Sequence, residues 1–373
     1  MKTSFSEIIE AYNWETLHQE ILNKSERDVI VALSKNKRSI NDFIALISPA
    51  AEKFIEQIAN QSHKDTVKRF GKTIQMFVPM YLSNECQNIC TYCGFSMGNK
   101  VPRKTLTDLE IEKEIEIIKS LGFEHILLVT GEDRVYADFN YILNAVKKIR
   151  PHVAHLSIEV QPFDQHEYEK LIEAGCDAVL VYQETYHKEN YKKYHPKGKK
   201  SNFNYRLDTP DRLGNAGIHK IGLGALLGLE DWRVEAFFLA LHLDYLRKKY
   251  WKTLYSISLP RIRPAEGVNN SKETMNDLQF VQLICALRLF DGEIEITLST
   301  RENSDFREKL IPLGVTTMSA GAKTNPGGYA SGESSLEQFE ISDERSPEVI
   351  AKVISDLGYE AVWKNWDLAL ISK

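Results

Sequence analysis

The 373-residue sequence predicts a closed (β/α)8 barrel of the TIM type, preceded by a helical extension. After Gly71, short apolar runs alternate with amphipathic segments, a pattern typical of parallel strands joined by crossover helices. We count eight such apolar runs. Polar residues follow most of them, at the positions where the carboxyl ends of barrel strands carry functional loops.

The predicted elements follow one another along the chain. The extension, residues 1–70, has helices predicted over 14–22, 26–33, 43–47 and 50–69, with Ser39 as a helix cap. The predicted strands are 74–82, 125–130, 155–160, 178–182, 220–223, 255–259, 293–298 and 315–319. The predicted crossover helices are 108–121, 139–149, 165–173, 206–216, 234–250, 275–289 and 306–310. We therefore expect an extension (1–70), a barrel (71–320) and a closing segment packed on the barrel (321–373).

Composition narrows the class of protein. The chain has 47 Lys and Arg against 52 Asp and Glu, a net charge of −5, which argues against a general nucleic-acid binder or a polybasic membrane surface. The amino-terminal residues lack the apolar core of a signal peptide, and no run approaches about 18 apolar residues. We expect a cytoplasmic protein whose ligands are small molecules.

Three of the five cysteines, Cys86, Cys90 and Cys93, lie within eight residues directly after the first predicted strand. Their C-x3-C-x2-C spacing has no fourth thiolate nearby, so a metal centre here keeps one open position. For zinc that position holds a water molecule, whereas a four-iron cluster keeps one iron free for a ligand. Zinc-binding cysteines usually come as two pairs, and no second pair exists. Cys176 and Cys285 lie in apolar runs and are expected to be buried.

The motif ends with Tyr92 directly before Cys93, and this C-x3-C-x-aromatic-C pattern resembles the signature of radical S-adenosylmethionine (SAM) enzymes. The resemblance implies that Cys86, Cys90 and Cys93 hold a [4Fe-4S] cluster. The unique iron of such a cluster binds the amino and carboxylate groups of SAM, and Tyr92 lies beside the cofactor. It also implies the barrel of the radical SAM superfamily.

The same resemblance assigns residues to SAM. Thr130-Gly131-Glu132 follows the second predicted strand, where these barrels have a Gly-Gly-Glu-like turn that receives the methionyl ammonium group; here Thr130 replaces the first glycine. The alternative is an acidic first turn of a helix. Glu159, at the end of the third strand, is expected to accept hydrogen bonds from the ribose hydroxyls, or else to pair with a nearby arginine.

Two cations are candidates for the SAM carboxylate. Lys200 belongs to a positive loop, His195-Pro196-Lys197-Gly198-Lys199-Lys200, and Arg206 follows it. The alternative is that the lysines form a solvated loop.

Ser299, Thr300 and Arg301 follow the seventh predicted strand. An arginine fork beside two hydroxyls suits bidentate capture of an amino-acid carboxylate. The alternative is a surface ion pair of Arg301 with Glu302 or Glu295.

Longer runs make the resemblance more specific. They are similar to the ThiH-type tyrosine lyases (2-iminoacetate synthases) of thiazole biosynthesis, and the similarity extends from about Tyr12 to Trp366. The runs are Val78–Asn84, Cys93–Ser96, Leu127–Glu132, Val181–His187, Thr209–Gly214, Lys220–Leu229, Leu298–Glu302 and Pro326–Ala330.

This resemblance implies a reaction and its partners. SAM is cleaved to a 5′-deoxyadenosyl radical, and the Cα–Cβ bond of L-tyrosine breaks to give 2-iminoacetate and p-cresol for the thiazole ring of thiamine. Arg301 and Ser299 would anchor the tyrosine carboxylate. The expected partners are a thiazole synthase (ThiG-type) subunit and an external one-electron donor such as flavodoxin.

Several alternatives remain open at the level of the sequence. The related tyrosine lyase of hydrogenase cofactor assembly has three further cysteines in an added domain, whereas this sequence has none after Cys285. Tryptophan lyases share the barrel and differ in pocket shape. A zinc hydrolase would need histidines beside the cysteines, but His125, His155 and His187 are scattered. A catalytically idle partner of a thiazole synthase would tolerate loss of the cluster.

Overall fold

The barrel predicted from the sequence is present in the computed structural model, which describes residues 4–265, 275–331 and 337–364. Its first strand, β1, hydrogen-bonds in parallel to β2 on one side and to β8 on the other, so the eight strands close into a ring. The strands are β1 (Thr73–Ser83), β2 (His125–Thr130), β3 (His155–Glu159), β4 (Ala178–Leu180), β5 (Lys220–Gly224), β6 (Leu254–Ser258), β7 (Glu295–Leu298) and β8 (Thr317–Ser319).

A ninth strand, β9 (Glu360–Val362), was not predicted and pairs in parallel with the start of β1. Gln75 of β1 aligns with Val362 on one edge and with Thr317 of β8 on the other. Strand β9 therefore extends the sheet at the amino-terminal end of the barrel, away from the loops that carry the candidate site. Residues 332–336 and 365–373 of the predicted closing segment lie outside the described residues.

The helices surround this ring and precede it. They are α1 (Phe5–Ile9), α2 (Trp14–Leu22), α3 (Glu26–Ser34), α4 (Ile40–Ile47), α5 (Ile55–Phe70), α6 (Asp108–Ser120), α7 (Phe139–Ile149), α8 (Gln165–Glu173), α9 (Lys188–Tyr194), α10 (Phe203–Leu207), α11 (Thr209–Ala216), α12 (Trp232–Lys249), α13 (Asp277–Phe290), α14 (Ser304–Leu310) and α15 (Pro347–Asp356). Among the described residues, no helix is both long enough and apolar enough to cross a membrane.

The amino-terminal helices pack on the outer helices of the barrel. Ser39 caps α4 in a capping box with Asp42, as the sequence predicted. The Gln282 amide of α13 donates to the Leu46 carbonyl of α4 at 2.9 Å. The single helix predicted over 50–69 was wrong at its start, because residues Pro49–Phe54 form a 3-10 turn before α5.

The predicted helix 206–216 was also wrong, because it is broken into α10 and α11. Asp208 leaves the helical conformation with a ψ of 6°, and Pro210 lies in the first turn of α11. Proline lacks a backbone N–H, so in a continuous helix Pro210 would leave the Arg206 carbonyl without a donor; proline therefore starts a helix more readily than it continues one. The break places Arg206 in the last turn of a short helix beside the barrel mouth.

Candidate active site

A cavity opens at the carboxyl ends of the barrel strands, where most of the predicted site residues meet. Its wall is formed by residues of the strands, such as Leu127 and Glu159, and by residues of the loops that follow them. The predicted residues that line it are Tyr92, Cys93, Glu159, Lys200, Ser299 and Arg301. A smaller adjoining cavity is lined by Glu132, Lys200 and Arg206, among others. Lys200 lines both cavities.

The cysteine loop is held in place by backbone hydrogen bonds. Gln87 N donates to Glu132 O at 2.9 Å, and Ile89 N donates to Lys197 O at 3.0 Å. Cys90 N donates to Ser96 Oγ at 3.1 Å. These bonds connect the loop to the turns after β2 and α9, so residues distant in sequence fix the positions of the three thiols.

The three thiols fit a [4Fe-4S] cluster. Burial raises the pKa of each thiol, and raises that of Cys86 to about 11, so a positively charged metal centre is needed to keep them as thiolates. Among the described residues, no three Cys, His, Asp or Glu side chains are arranged to hold a single metal ion. A cluster spreads its thiolates over separate irons, so the sulfurs need not converge on one point.

Two amide side chains lie beside the sulfurs. The Asn88 amide is 3.9 Å from Cys86 Sγ, and the Gln338 amide is 3.9 Å from Cys93 Sγ. Hydrogen-bond donors beside cluster sulfurs tune the reduction potential of such centres. Burial also raises the pKa of Tyr92, whose hydroxyl lies 2.7 Å from His195 Nε2.

Glu132 forms a buried ion pair that was not predicted. Arg206 Nη1 lies 2.6 Å from Glu132 Oε1, and the Asn88 amide donates to Glu132 Oε2 at 2.9 Å. Burial alone would raise the pKa of Glu132, but Arg206 and Lys200 outweigh it and hold that pKa below its usual value. Helix α7 begins later, with Asp138 as its cap, so the helix-turn alternative for Glu132 is wrong.

The turn around Glu132 needs its glycine. A Cβ atom on Gly131 would lie 2.1 Å from the Glu85 carbonyl oxygen, so the turn approaches the cysteine loop too closely for any other residue. Thr130 is buried, and its hydroxyl has no hydrogen-bond partner among the described residues.

Glu184, in the loop after β4, was not predicted as a site residue. Its carboxylate lies 2.7 Å from Lys200 Nζ and 3.9 Å from Arg206 Nη2. Its φ of +70° is the one positive φ of a non-glycine residue in the described part of the chain. Such strain persists where the surroundings impose it and clusters at functional sites. The buried ion pair between Glu184 and Lys200 also shows that the Lys200 side chain is not part of a solvated loop.

Glu159 lies in the cavity wall without an ion-pair partner among the described residues. Burial, and then the nearby charge of Glu184, raise the pKa of Glu159 to about 7. The alternative of a paired arginine is therefore not found in the described structure. A carboxylate facing a cavity without a partner remains available to a ligand.

Arg301 is partly buried in the same wall and pairs with no carboxylate among the described residues. Both carboxylates proposed as its alternative partners are engaged elsewhere. Glu302 binds Arg261, as well as Arg263 at 3.0 Å, and Glu295 binds Lys220 at 2.8 Å. The ion-pair alternative for Arg301 was therefore wrong.

The contacts of Arg301 leave its side-chain N–H groups able to face the cavity. Its guanidinium carbon lies 3.4 Å above the centre of the Phe339 ring. Ser299 Oγ accepts a hydrogen bond from the Arg301 backbone N–H at 3.4 Å. Burial lowers the pKa of Arg301, while Tyr81, Glu184 and Glu159 act in the opposite direction. A cation in a cavity wall with no ion-pair partner among the described residues is a site for an anionic group.

A (β/α)8 barrel with a three-cysteine loop after its first strand is the architecture of radical SAM enzymes. Residues 80–241 match the Radical SAM superfamily, and residues 258–360 match the Biotin and Thiamin Synthesis associated domain. Membership of this superfamily implies a [4Fe-4S] cluster and SAM as cofactors.

Curated relatives identify the family within this class. A 2-iminoacetate synthase of Escherichia coli (strain K12) is 47% identical over 368 residues, covering 98% of this chain and 97% of the relative. A 2-iminoacetate synthase of Salmonella typhimurium (strain LT2) is 48% identical over the same length, with the same coverage. The chain therefore belongs to the 2-iminoacetate synthase family of radical SAM lyases.

Solved structures agree with this fold. HydG, a maturase of the [FeFe]-hydrogenase, superposes with a TM-score of 0.89 at 29% identity, covering 94% of this chain and 80% of HydG. HydG from Carboxydothermus hydrogenoformans gives a TM-score of 0.88 at 30% identity, covering 96% of this chain and 85% of that chain.

Proposed function

We propose that this protein cleaves the Cα–Cβ bond of L-tyrosine to 2-iminoacetate and p-cresol, supplying the glycine-derived unit of the thiamine thiazole ring. Arg301 carries this proposal. Its guanidinium has no carboxylate partner among the described residues, and it lies in the wall of a cavity that also contains Cys93. A free amino acid presents the carboxylate that such an arginine binds through two parallel hydrogen bonds.

The residues of the chain divide between substrate and cofactor. When bound, the cluster and SAM supply a 5′-deoxyadenosyl radical that removes a hydrogen atom from tyrosine, by family analogy from its amino group. Arg301 and Ser299 hold the tyrosine carboxylate in this proposal. The barrel wall, with Phe77, Leu127 and Leu180, excludes water from the space where the side chain lies.

The cofactor residues are assigned by their charge and place. Cys86, Cys90 and Cys93 hold the cluster, with Tyr92 packed beside it. Glu132 receives the methionyl ammonium group of SAM, with Thr130 and Gly131 forming the turn. Lys200 and Arg206 face the SAM carboxylate. Glu159 accepts from the ribose hydroxyls.

Two ion pairs support the assignment of Glu132, Lys200 and Arg206 to SAM. Arg206 already neutralises Glu132, and Glu184 neutralises Lys200. The zwitterionic end of SAM carries one positive and one negative charge, so it can enter between these pairs without leaving a net charge buried. This support comes from the charge balance of the described residues.

The protein would act with two partner proteins. A thiazole synthase subunit would receive 2-iminoacetate, and a one-electron donor such as flavodoxin would reduce the cluster in the cytoplasm. The chain would divide into an extension (1–70), a barrel (71–320) and a closing segment (321–373).

The test is product analysis on anaerobically reconstituted protein supplied with SAM, a reductant and either tyrosine or tryptophan. We expect p-cresol and 2-iminoacetate from tyrosine, with 5′-deoxyadenosine formed in parallel. Cleavage of tryptophan in place of tyrosine would make this a lyase of another aromatic amino acid. A Cys90→Ala variant that retains full activity would contradict radical chemistry altogether.

A further inference from the structure

Residues 337–343, here called the mouth segment, run across the opening of the barrel. Their backbone forms hydrogen bonds with the loops after four strands. Gly94 N donates to Gln338 O at 3.1 Å, Gln338 N to Thr324 O at 3.1 Å, Glu340 N to Pro264 O at 3.0 Å and Ser342 N to Thr300 O at 2.9 Å. The loops after β1, β6, β7 and β8 are thus connected through one stretch of chain.

The two ends of the mouth segment are fixed by further contacts. A Cβ atom on Gly94 would lie 2.9 Å from the Gln338 carbonyl oxygen, so the cysteine loop can meet the segment this closely only at a glycine. At the other end, Asp343 is buried between Arg307 and Arg345, with a 2.8 Å contact to the latter. A segment held at both ends places its side chains precisely.

Two consecutive side chains of the mouth segment point into the cavity. The Gln338 side chain accepts a hydrogen bond from the Tyr81 hydroxyl at 2.7 Å and places its amide 3.9 Å from Cys93 Sγ. Phe339 lies under the guanidinium of Arg301, at 3.4 Å from ring centre to Cζ. One peptide unit therefore connects the cysteine loop to the arginine assigned to the substrate.

An aromatic ring supports an arginine differently from a carboxylate. A carboxylate would occupy the N–H groups of Arg301 and compete with the incoming ligand. The ring covers only the face of the guanidinium, and the N–H donors lie in the guanidinium plane. Stacking thus fixes the plane of the fork and leaves its donors for a ligand, which lowers the entropy lost on binding.

We propose that Phe339 is a positioning residue for the substrate: its ring holds the Arg301 guanidinium in the plane that receives the amino-acid carboxylate, and the mouth segment thereby completes the substrate site. This inference rests on the proposed role of Arg301. It adds Phe339, which lies outside the barrel strands, to the residues that determine tyrosine binding.

The experiment measures tyrosine binding by calorimetry to reconstituted, SAM-saturated protein without reductant, so that no turnover occurs. Phe339→Leu is expected to raise the Kd for tyrosine roughly 2- to 30-fold, the range of a cation–π contact. Phe339→Met, which also lacks a ring, should behave in the same way. Phe339→Tyr keeps the ring face and should bind tyrosine as the parent does.

Four measurements separate a positioning role of Phe339 from general damage to the protein. The cluster absorption and the Kd for SAM should be the same in all the variants. Phe306→Leu is the matched control, because Phe306 stacks on Arg261, with 5.2 Å from Cζ to ring centre, and not on Arg301. It should leave the Kd for tyrosine unchanged. In an Arg301→Ala background, Phe339→Leu should have no further effect, because the two side chains act as one unit.

The outcomes distinguish this inference from the proposed function. Unchanged tyrosine binding by Phe339→Leu, or equal losses in Phe339→Leu and Phe339→Tyr, overturns the positioning role if Arg301→Ala still weakens binding. Additive losses in the double variant also overturn it. If Arg301→Ala itself binds tyrosine as the parent does, the proposed carboxylate site fails, and the inference fails with it.

Discussion

Arg301→Lys tests the assignment of the substrate carboxylate most directly. Lysine keeps the positive charge but loses the planar fork that binds a carboxylate through two hydrogen bonds. The variant should lose one charge-assisted hydrogen bond, about 1.5 to 3 kcal/mol, which corresponds to a roughly 10- to 150-fold higher Kd for tyrosine. Arg301→Ala should abolish p-cresol release at low tyrosine while the cluster spectrum and SAM binding persist.

The assay sets tyrosine-dependent p-cresol release beside 5′-deoxyadenosine production in the same reaction. Arg261→Lys is the control, because Arg261 is bound to Glu302 and Asp277 and does not line the cavity. It should change the Kd for tyrosine less than twofold (about 0.4 kcal/mol). Parent-like p-cresol release by Arg301→Ala at low tyrosine would refute the reasoning and make Arg263, which does line the cavity, the next candidate.

Three further predictions concern the cluster, SAM binding and Glu235, a buried carboxylic acid on α12 that accepts a hydrogen bond from Tyr186 N at 2.9 Å. Anaerobic reconstitution should give about four irons per chain, and Cys90→Ala should lose the iron–sulfur absorption; stoichiometric zinc in the parent protein would contradict the cluster. Glu132→Ala should weaken SAM binding about tenfold or more while the iron content stays unchanged; equal SAM affinity in calorimetry would exclude its role. Burial raises the pKa of Glu235 to about 8, from an ordinary value of about 4.5. Between these two pH values the folded chain keeps a proton on Glu235 that the unfolded chain has lost, so the free energy of unfolding falls as the pH rises. Glu235→Gln should flatten this fall, by at most about 1.4 kcal/mol per pH unit, in denaturant titrations between pH 5 and 8; identical pH profiles would show that Glu235 is not protonated in the native state.

The confirmed predictions are the barrel and the radical SAM family, and both depend on patterns within short stretches of the chain. The spacing of Cys86, Cys90 and Cys93 lies within a single loop, and the alternation of apolar runs comes from strands and helices whose burial repeats locally. Since every parallel strand of a barrel ends at the same face, the order of the strands alone brought Glu159, Ser299 and Arg301 to one cavity. The broken helix before Pro210 shows the limit even of local patterns, since its apolar spacing continues across the break.

The tertiary structure decided which charges are paired. Arg206 and Glu132 are 74 positions apart, and Glu302 meets Arg261 across 41 positions. No spacing rule connects such residues, because their separation in space depends on how the ring of strands closes. The same holds for Phe339, which reaches Arg301 only because the mouth segment crosses from the loop after β1 to the loops after β6, β7 and β8. The sequence by itself determined the kinds of chemical group present at the barrel mouth, whereas closure of the barrel determined which of them are neutralised and which remain open to a ligand.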